Sequence, residues 1–323
     1  MRREGSPWRG LGVVFMKELS DHLSSTRMIV LEWLVVLTAL AVVYAGIQQI
    51  KDVTSEDPFL LLRLFTRAGD RLPSFVSVLS FLVPLVSIGL GFDLVNSEYN
   101  QRTLSRILSQ PIYRDALLFG KFLAGIATLT VVLVALWLMV VGLGILLLGI
   151  PPSGEEMARA IAMLVATIVY AGVWLALAIL FSIVFRSAAT AALISLGLWL
   201  FLTILWPLLS PTIAGFFITT APTSAGELLG QLDILQGFAR VSPGTLFGEV
   251  VTVLLDPSIR STQQPLLASL GLQLVEPGSI PGAPLPFLQS LLIVWPQIVG
   301  LVAGTIVLLV IGYVSFQRQE VRA

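Results

Sequence analysis

Six apolar stretches, each long enough to cross a lipid bilayer, dominate this 323-residue chain. A spanning helix needs about 20 mainly apolar residues, because the hydrocarbon layer is about 30 Å thick and each helical residue rises about 1.5 Å. The first stretch exceeds the apolar core of a cleaved signal peptide, about 7–15 residues, so it is expected to remain in the protein. The sequence predicts an all-α, polytopic membrane protein with six transmembrane helices. They cover residues 28–50, 74–95, 117–148, 157–185, 188–210 and 287–316.

The composition agrees with a body that lies in lipid. Hydrophobic residues make up 56% of the chain and charged residues 12%, whereas a soluble domain has roughly 25% charged residues. The 19 basic and 19 acidic residues balance, so the net charge does not indicate a nucleic-acid partner. There is no cysteine, and the single histidine, His22, forms only a two-ligand pair with Glu18. Neither a metal site nor a catalytic residue is predicted.

The distribution of positive charge predicts the orientation. Lys and Arg concentrate in one alternate set of loops and termini, which includes Lys17, Arg114 and Arg186. The other set is richer in acids such as Glu155 and Glu156. By the positive-inside rule, both termini are expected on the cytoplasmic side of the plasma membrane.

Two regions outside the spans show amphipathic patterns. Residues 1–27 form a cytoplasmic N-terminus in which an elbow helix is expected to lie along the membrane surface; packing against protein in the cytoplasm is the alternative. Residues 211–286 are predicted to be an outer loop, or cap, with short helices, before the last span and C-terminus at 287–323. The apolar stripe of the elbow comprises Trp8, Leu11, Phe15, Leu19 and Leu23, and the cap helices are indicated by Leu228, Leu232, Leu235, Phe238 and residues 246–255.

The chain lacks the residues that would power transport by itself. Spans three to six hold almost no ionisable side chains, which argues against a carrier coupled to protons or sodium. Glu32 and Asp93, near the cytoplasmic ends of the first two spans, either reach interfacial water or an arginine, or help to hold a gate. A phosphate-binding loop is absent, because the only Gly-Lys pair, Gly120-Lys121, is followed by Phe122 rather than Ser or Thr.

A polar segment, SEYNQRTLSRILSQPIYRDALLFGK, connects the second and third spans at residues 97–121. Asn96 or Ser97 is suited to cap a helix there, Glu98 suits its N-terminal end, and Pro111 stops it. We call residues 96–116 the coupling segment; they are predicted to form a short amphipathic helix that fills a groove on a cytoplasmic partner. An ordinary positive loop that only sets topology is the alternative. The apolar face comprises Leu104, Ile107 and Leu108, with Arg102, Ser105 and Arg106 around it.

This pattern resembles the coupling loop of type-2 ATP-binding cassette (ABC) permeases, the six-helix membrane subunits of ABC exporters. The resemblance extends to Lys17-Glu18 in the elbow and Ser242-Pro243 before the last span. Arg102 departs from the glycine that many members carry, and the cap is long for the family. The matching residues of the segment are Glu98, Thr103-Leu104, Leu108-Ser109, Pro111, Arg114 and Gly120-Lys121.

The resemblance implies a permease that works as a homodimer or as a pair of similar subunits. Each subunit would dock on a separate cytoplasmic ATPase, which would hold the ATP and Mg²⁺, with no cofactor in this chain. Because the spans are apolar, a hydrophobic or amphipathic cargo is expected. The alternative is a membrane anchor or sensor whose cap binds an extracytoplasmic protein without moving cargo. The expected ATPase contact comprises Glu98, Arg102, Thr103, Leu104, Arg106, Leu108, Pro111 and Arg114.

Small residues in the fifth span predict a contact between two permease copies, because small side chains let helices approach closely in lipid. Close packing within one subunit is the alternative. The residues are Ser187, Ala188, Ala191, Ala192 and Ser195. Gly300 and Gly304 form a second small face in the sixth span.

Overall fold

The computed structural model is helical, with no β-strand in the part of the chain that it describes. The described residues are 8, 10–51, 59–67, 73–101, 113–149, 151–218, 224–264, 267 and 284–318. The helices are α1 (Leu11–Ser24), α2 (Thr26–Lys51), α3 (Leu60–Thr66), α4 (Phe75–Gly91), α5 (Asn96–Asn100), α6 (Arg114–Leu148), α7 (Gly154–Val184), α8 (Ala188–Gly215), α9 (Ala225–Ala239), α10 (Pro243–Leu255) and α11 (Phe287–Arg318).

Six helical stretches are long and apolar enough to span a membrane, which confirms the fold predicted from the sequence. They are α2, α4 with α5, α6, α7, α8 and α11, with mean hydropathies from 2.1 to 2.8. The fifth span continues to Gly215 rather than ending at residue 210. Pro211 lies inside this helix and does not end it. A proline removes one backbone hydrogen-bond donor, and the helix continues beyond it.

Helix α7 is the centre of the bundle. It contacts α3, α4, α6, α8, α10 and α11, and every residue from Tyr170 to Leu180 is buried. In its apolar window 72% of residues are buried, against 11% in the windows of α8 and α11. The outer faces of α8 and α11 therefore present apolar side chains to lipid or to another chain.

The two ends of the bundle are built differently. The elbow end holds α1, α5, the start of α6 and the ends of α7 and α11; the cap end holds α10 and the starts of α7 and α11. At the cap end Ser153 and Glu156 form a capping box for α7. The second carboxylate oxygen of Glu156 accepts a 2.9 Å hydrogen bond from the backbone N–H of Leu61, which anchors α3.

Arg159 ties α7 to the cap. Its side chain is fully buried and donates to the Leu254 carbonyl at 2.9 Å, to the Ser290 hydroxyl at 3.1 Å and to the Leu285 carbonyl. Glu155 accepts from the same guanidinium one turn earlier, at 2.9 Å. Nothing in the sequence pattern indicated this anchor between α7, α10 and α11.

A π-helical segment, Phe201–Leu205, interrupts α8. The backbone N–H of Trp206 bonds to the carbonyl of Phe201 across this wider turn. The indole N–H of Trp206 then donates to the Phe238 carbonyl at 2.8 Å. The cap-end half of α8 is thereby fixed against α9.

Candidate functional site

Four charged side chains meet at the elbow end in what we call the ion cluster: Lys17 and Glu18 of α1, Glu98 of α5, and Lys121 of α6. The Lys121 ammonium lies 2.9 Å from a carboxylate oxygen of Glu18 and 2.8 Å from one of Glu98. Lys17 lies 2.8 Å from the same Glu18 oxygen and 3.9 Å from the Glu98 oxygen. Three separate segments of the chain therefore share one set of ion pairs.

Burial makes Lys121 the centre of the ion cluster. Its side chain is 2% exposed, and those of Glu18 and Glu98 are 5% and 10% exposed, whereas Lys17 is 55% exposed. Burial alone would raise the pKa of Glu18, but the charge of Lys121 and the hydrogen bonds from both lysines outweigh it and hold the pKa below its ordinary value. For Lys17, burial would lower the pKa, and the hydrogen bond and charge of Glu18 reverse this to a raised value.

A close approach of α1 to α6 brings the ion cluster together. Gly120 immediately precedes Lys121, and a Cβ atom at this position would lie 2.8 Å from Cγ1 and 3.0 Å from Cβ of Val14. Only glycine leaves room for α1 at this separation. Val14, Glu18 and His22 consequently form the buried face of α1.

The start of the coupling segment is also fixed to the end of α7. The Ser182 hydroxyl accepts hydrogen bonds from the backbone N–H groups of Val95 and Asn96, at 2.9 and 3.2 Å. The Asn96 and Asn100 amides donate to the carbonyls of Phe185, at 3.4 Å, and Arg186, at 2.9 Å. These bonds join the end of the second span to the end of the fourth, and nothing in the sequence pattern indicated them.

Arg114 fixes the other side of the segment to the end of α11. Its guanidinium donates to the carbonyls of Phe316 and Gln317, at 3.2 and 3.3 Å. A cation at a helix C-terminus satisfies carbonyls that have no partner within the helix and opposes their partial negative charge. The Gln317 amide in turn donates to Asp115 at 2.6 Å.

The predicted ATPase contact lies partly outside the described residues. Arg102, Thr103, Leu104, Arg106, Leu108 and Pro111 all fall there. The two that are described, Glu98 and Arg114, direct charged groups toward α1, α6 and α11 rather than standing free on the surface. They are the first and last residues of the predicted contact, and their bonds secure its two ends to the bundle.

The residues predicted for the dimer contact divide into two groups. Ala191 and Ser195 are fully buried within the chain, in a part of α8 that packs against α7 and α4. Their placement favours the alternative, close packing within one subunit. Ser187, Ala188 and Ala192 keep exposed or partly exposed side chains, so a contact with a second copy stays a prediction for them.

The described residues include no group of three or more His, Asp or Glu side chains that could hold a metal ion. The ion cluster joins α1, the coupling segment and α6 through ion pairs between buried side chains.

Comparisons with known proteins give the same family as the sequence motifs. The family model described as "ABC-2 family transporter protein" matches residues 13–321. A probable ABC transporter permease protein NosY from Pseudomonas aeruginosa is 29% identical over 107 residues, which are 33% of this chain and 35% of that protein. A protein of the same description from Stutzerimonas stutzeri is 27% identical over 106 residues, again 33% and 35%. The alignments with these relatives thus span about a third of their length.

Proposed function

We propose that this chain, which belongs to the ABC-2 family of transporter proteins, is the permease subunit of an exporter driven by a separate cytoplasmic ATPase. The ATPase would hold ATP and Mg²⁺ and would dock on the coupling segment, with the elbow end facing the cytoplasm. Two such permeases, identical or similar, would form the membrane pathway. The cargo would be hydrophobic or amphipathic.

The ion cluster is the observation that carries this proposal. A push on the coupling segment would reach α1 and α6 through Glu98 and Lys121, α7 through Asn96 and Ser182, and α11 through Arg114. Because packed helices move as rigid elements, work delivered at one segment would displace four helices together. A loop that only sets topology would have no use for these connections.

The experiment is reconstitution of the purified chain in vesicles with the ATPase that co-purifies with it. ATP should then clear a fluorescent hydrophobic substrate from the membrane. Transport by the chain alone, with no nucleotide present, would overturn the proposal. ATP-dependent capture of an outer protein without any clearance would instead support the anchor or sensor function.

A charge-reversal pair tests the docking surface. Arg102→Glu should reduce both the retained ATPase and ATP-dependent clearance, because it reverses a charge at the centre of the predicted contact. Arg318→Glu is the matched control, since Arg318 is exposed at the end of α11 and lies outside the coupling segment. Equal retention of the ATPase by both variants would show that the docking surface is elsewhere.

A further inference from the structure

A cavity of about 550 Å³ lies at the cap end between α8, α9 and α10. Pro207, Ser210 and Pro211 form its wall on the fifth span, and Leu235 and Ala239 form its wall on α9. The face of α10 that carries Gly248, Glu249 and Val253 closes the third side. The volume falls within the range of about 300–1,000 Å³ that small-molecule sites occupy.

The lining surface is mainly apolar, and its polar side chains come from all three helices and from Thr262. Glu249 is the one charged side chain among the described lining residues, and both of its oxygens accept from Arg240 Nε, at 3.1 and 3.0 Å. A second nitrogen of the Arg240 guanidinium donates to the Gln236 amide oxygen at 3.0 Å and to the Thr262 hydroxyl at 3.1 Å. The Gln236 amide also donates to the Thr262 carbonyl at 2.9 Å, and the Gln297 amide donates to Glu249 at 2.8 Å. The polar groups therefore carry no unbalanced charge, and the Glu249 carboxylate keeps capacity to accept a further hydrogen bond.

This combination defines the class of ligand. An apolar body fits the proline, leucine and valine side chains of the lining. An uncharged head with hydroxyl groups can donate to the Glu249 carboxylate and can bond to the lining hydroxyls of Thr245 and Thr252. A charged head would lose its hydration without gaining a counter-charge, because the Glu249 carboxylate is already paired with Arg240.

We infer that this cavity binds an uncharged amphiphile with an apolar chain and a hydroxyl-bearing head. The inference rests on the proposed function, for which it specifies the cargo class and a cargo site inside a single subunit at the cap end. Its position beside α10, which Arg159 holds to the fourth and sixth spans, is suited to a molecule leaving the bundle.

Two glycines provide a matched pair of variants. A Cβ atom added at Gly248 would meet nothing within 4 Å, and Gly248 lines the cavity, so Gly248→Leu fills the cavity without displacing the helix. A Cβ atom at Gly237 of α9 also meets nothing within 4 Å, and Gly237 is exposed and lies outside the lining. Gly237→Leu is therefore the control for the same change of side chain in a neighbouring helix.

The experiment uses the full chain in phosphatidylcholine nanodiscs and a monoacylglycerol with a diazirine in its chain. After irradiation, mass spectrometry should find the label on peptides that contain residues 207–211 and 245–253. Gly248→Leu should reduce this labelling about tenfold, as filling a site with a large side chain does, and Gly237→Leu should leave it unchanged. Probes with the same chain and a phosphate or trimethylammonium head should label these peptides more weakly.

Unchanged labelling in Gly248→Leu would overturn the inference. So would labelling spread over all six spans in proportion to their exposure, because that is ordinary lipid contact. Retention of the ATPase is measured on the same samples. Loss of the expected labelling with the ATPase retained rejects the site alone, whereas specific labelling without any ATPase rejects the proposed function and leaves the site standing.

Discussion

At the residue scale, Lys121 has the largest expected effect, because it is the buried cation between two buried carboxylates. Replacing one partner of a buried ion pair leaves an uncompensated charge and costs about 3–5 kcal/mol. We expect Lys121→Met to lower the free energy of unfolding by that order. Thermal unfolding of the purified protein in detergent would measure the loss.

Lys17→Met is the control, because Lys17 contacts the same carboxylates from a half-exposed position. An ion pair in contact with water contributes about 0–1 kcal/mol, so the change should be small. Adding Glu18→Gln and Glu98→Gln to Lys121→Met should recover part of the loss, since no bare charge then remains. Equal destabilisation by the two lysine variants would show that Lys121 acts through packing alone.

Acid should weaken the ion cluster through Glu18. The pKa of Glu18 is lower in the folded protein than its ordinary value of 4.5. Its contribution to stability is therefore complete above about pH 4.5 and is lost as the pH falls through the lower folded value. The groups around it are Lys17, Asp21 and His22 on α1, Glu98 on α5 and Lys121 on α6.

The measurement is the melting temperature between pH 7 and pH 3 for the native chain and for Glu18→Gln. The variant should melt lower at pH 7 and lose less on acidification, because its side chain does not titrate. Parallel curves for the two proteins would contradict a stabilising charge at Glu18.

The sequence identified the residues of the ion cluster, but it did not indicate that they lie together. Lys17-Glu18 in the elbow, and Glu98 and Gly120-Lys121 at the two ends of the segment between the second and third spans, each appeared as part of the family resemblance. Nothing local indicates that residues 18 and 121 touch, because tertiary packing sets that contact. The role of Arg159 was missed for a related reason. A positive charge near the end of a span counts equally toward the predicted orientation whether it faces water or, as Arg159 does, buried hydrogen-bond acceptors.

At the element scale, α1 shows how far periodicity reaches. The predicted apolar stripe gave a helix in the correct place, but the buried face is shifted and includes Val14, Glu18 and His22. Met16 and Leu23 are exposed. Hydrophobicity alone does not identify the face of α1 that packs. Gly120 lets α1 approach α6 closely, and the ion pair with Lys121 allows the polar side chain of Glu18 to be buried.

Gly120→Ala tests this packing. The added methyl group would press on Val14 at less than 3.0 Å, and overpacking of this kind costs about 1–3 kcal/mol. We expect a lower melting temperature and weaker retention of the ATPase, because the shift of α1 pulls Glu18 from Lys121. Adding Val14→Ala should recover part of both.

Gly142→Ala is the matched control for that variant. Gly142 lies in α6, the helix that also carries Gly120, and a Cβ atom at Gly142 would meet nothing within 4 Å. Alanine is a better helix former than glycine by about 1 kcal/mol, so this variant should be as stable as the native chain or more so. If Gly120→Ala behaved in the same way as Gly142→Ala, α1 would not be held by close packing.

At the scale of the whole molecule, hydropathy predicted the six spans because each is a local property of about 20 residues. Their arrangement is not local. The central position of α7 follows from its contacts with α3, α4, α6, α8, α10 and α11, and no single stretch encodes it. The same limit applies to Ala191 and Ser195, whose small side chains fit a contact with a second copy and a contact within the chain equally well.

The orientation of the molecule can be tested directly because the chain has no cysteine, so a single introduced thiol reports its own side of the membrane. Ser20 is exposed on α1 and Gly230 is exposed on α9, at opposite ends of the bundle. A membrane-impermeant maleimide added to intact cells should label Gly230→Cys and spare Ser20→Cys, and inverted vesicles should give the reverse. Both thiols should react after detergent is added. The opposite pattern would place the coupling segment outside the cytoplasm, where no ATPase could reach it.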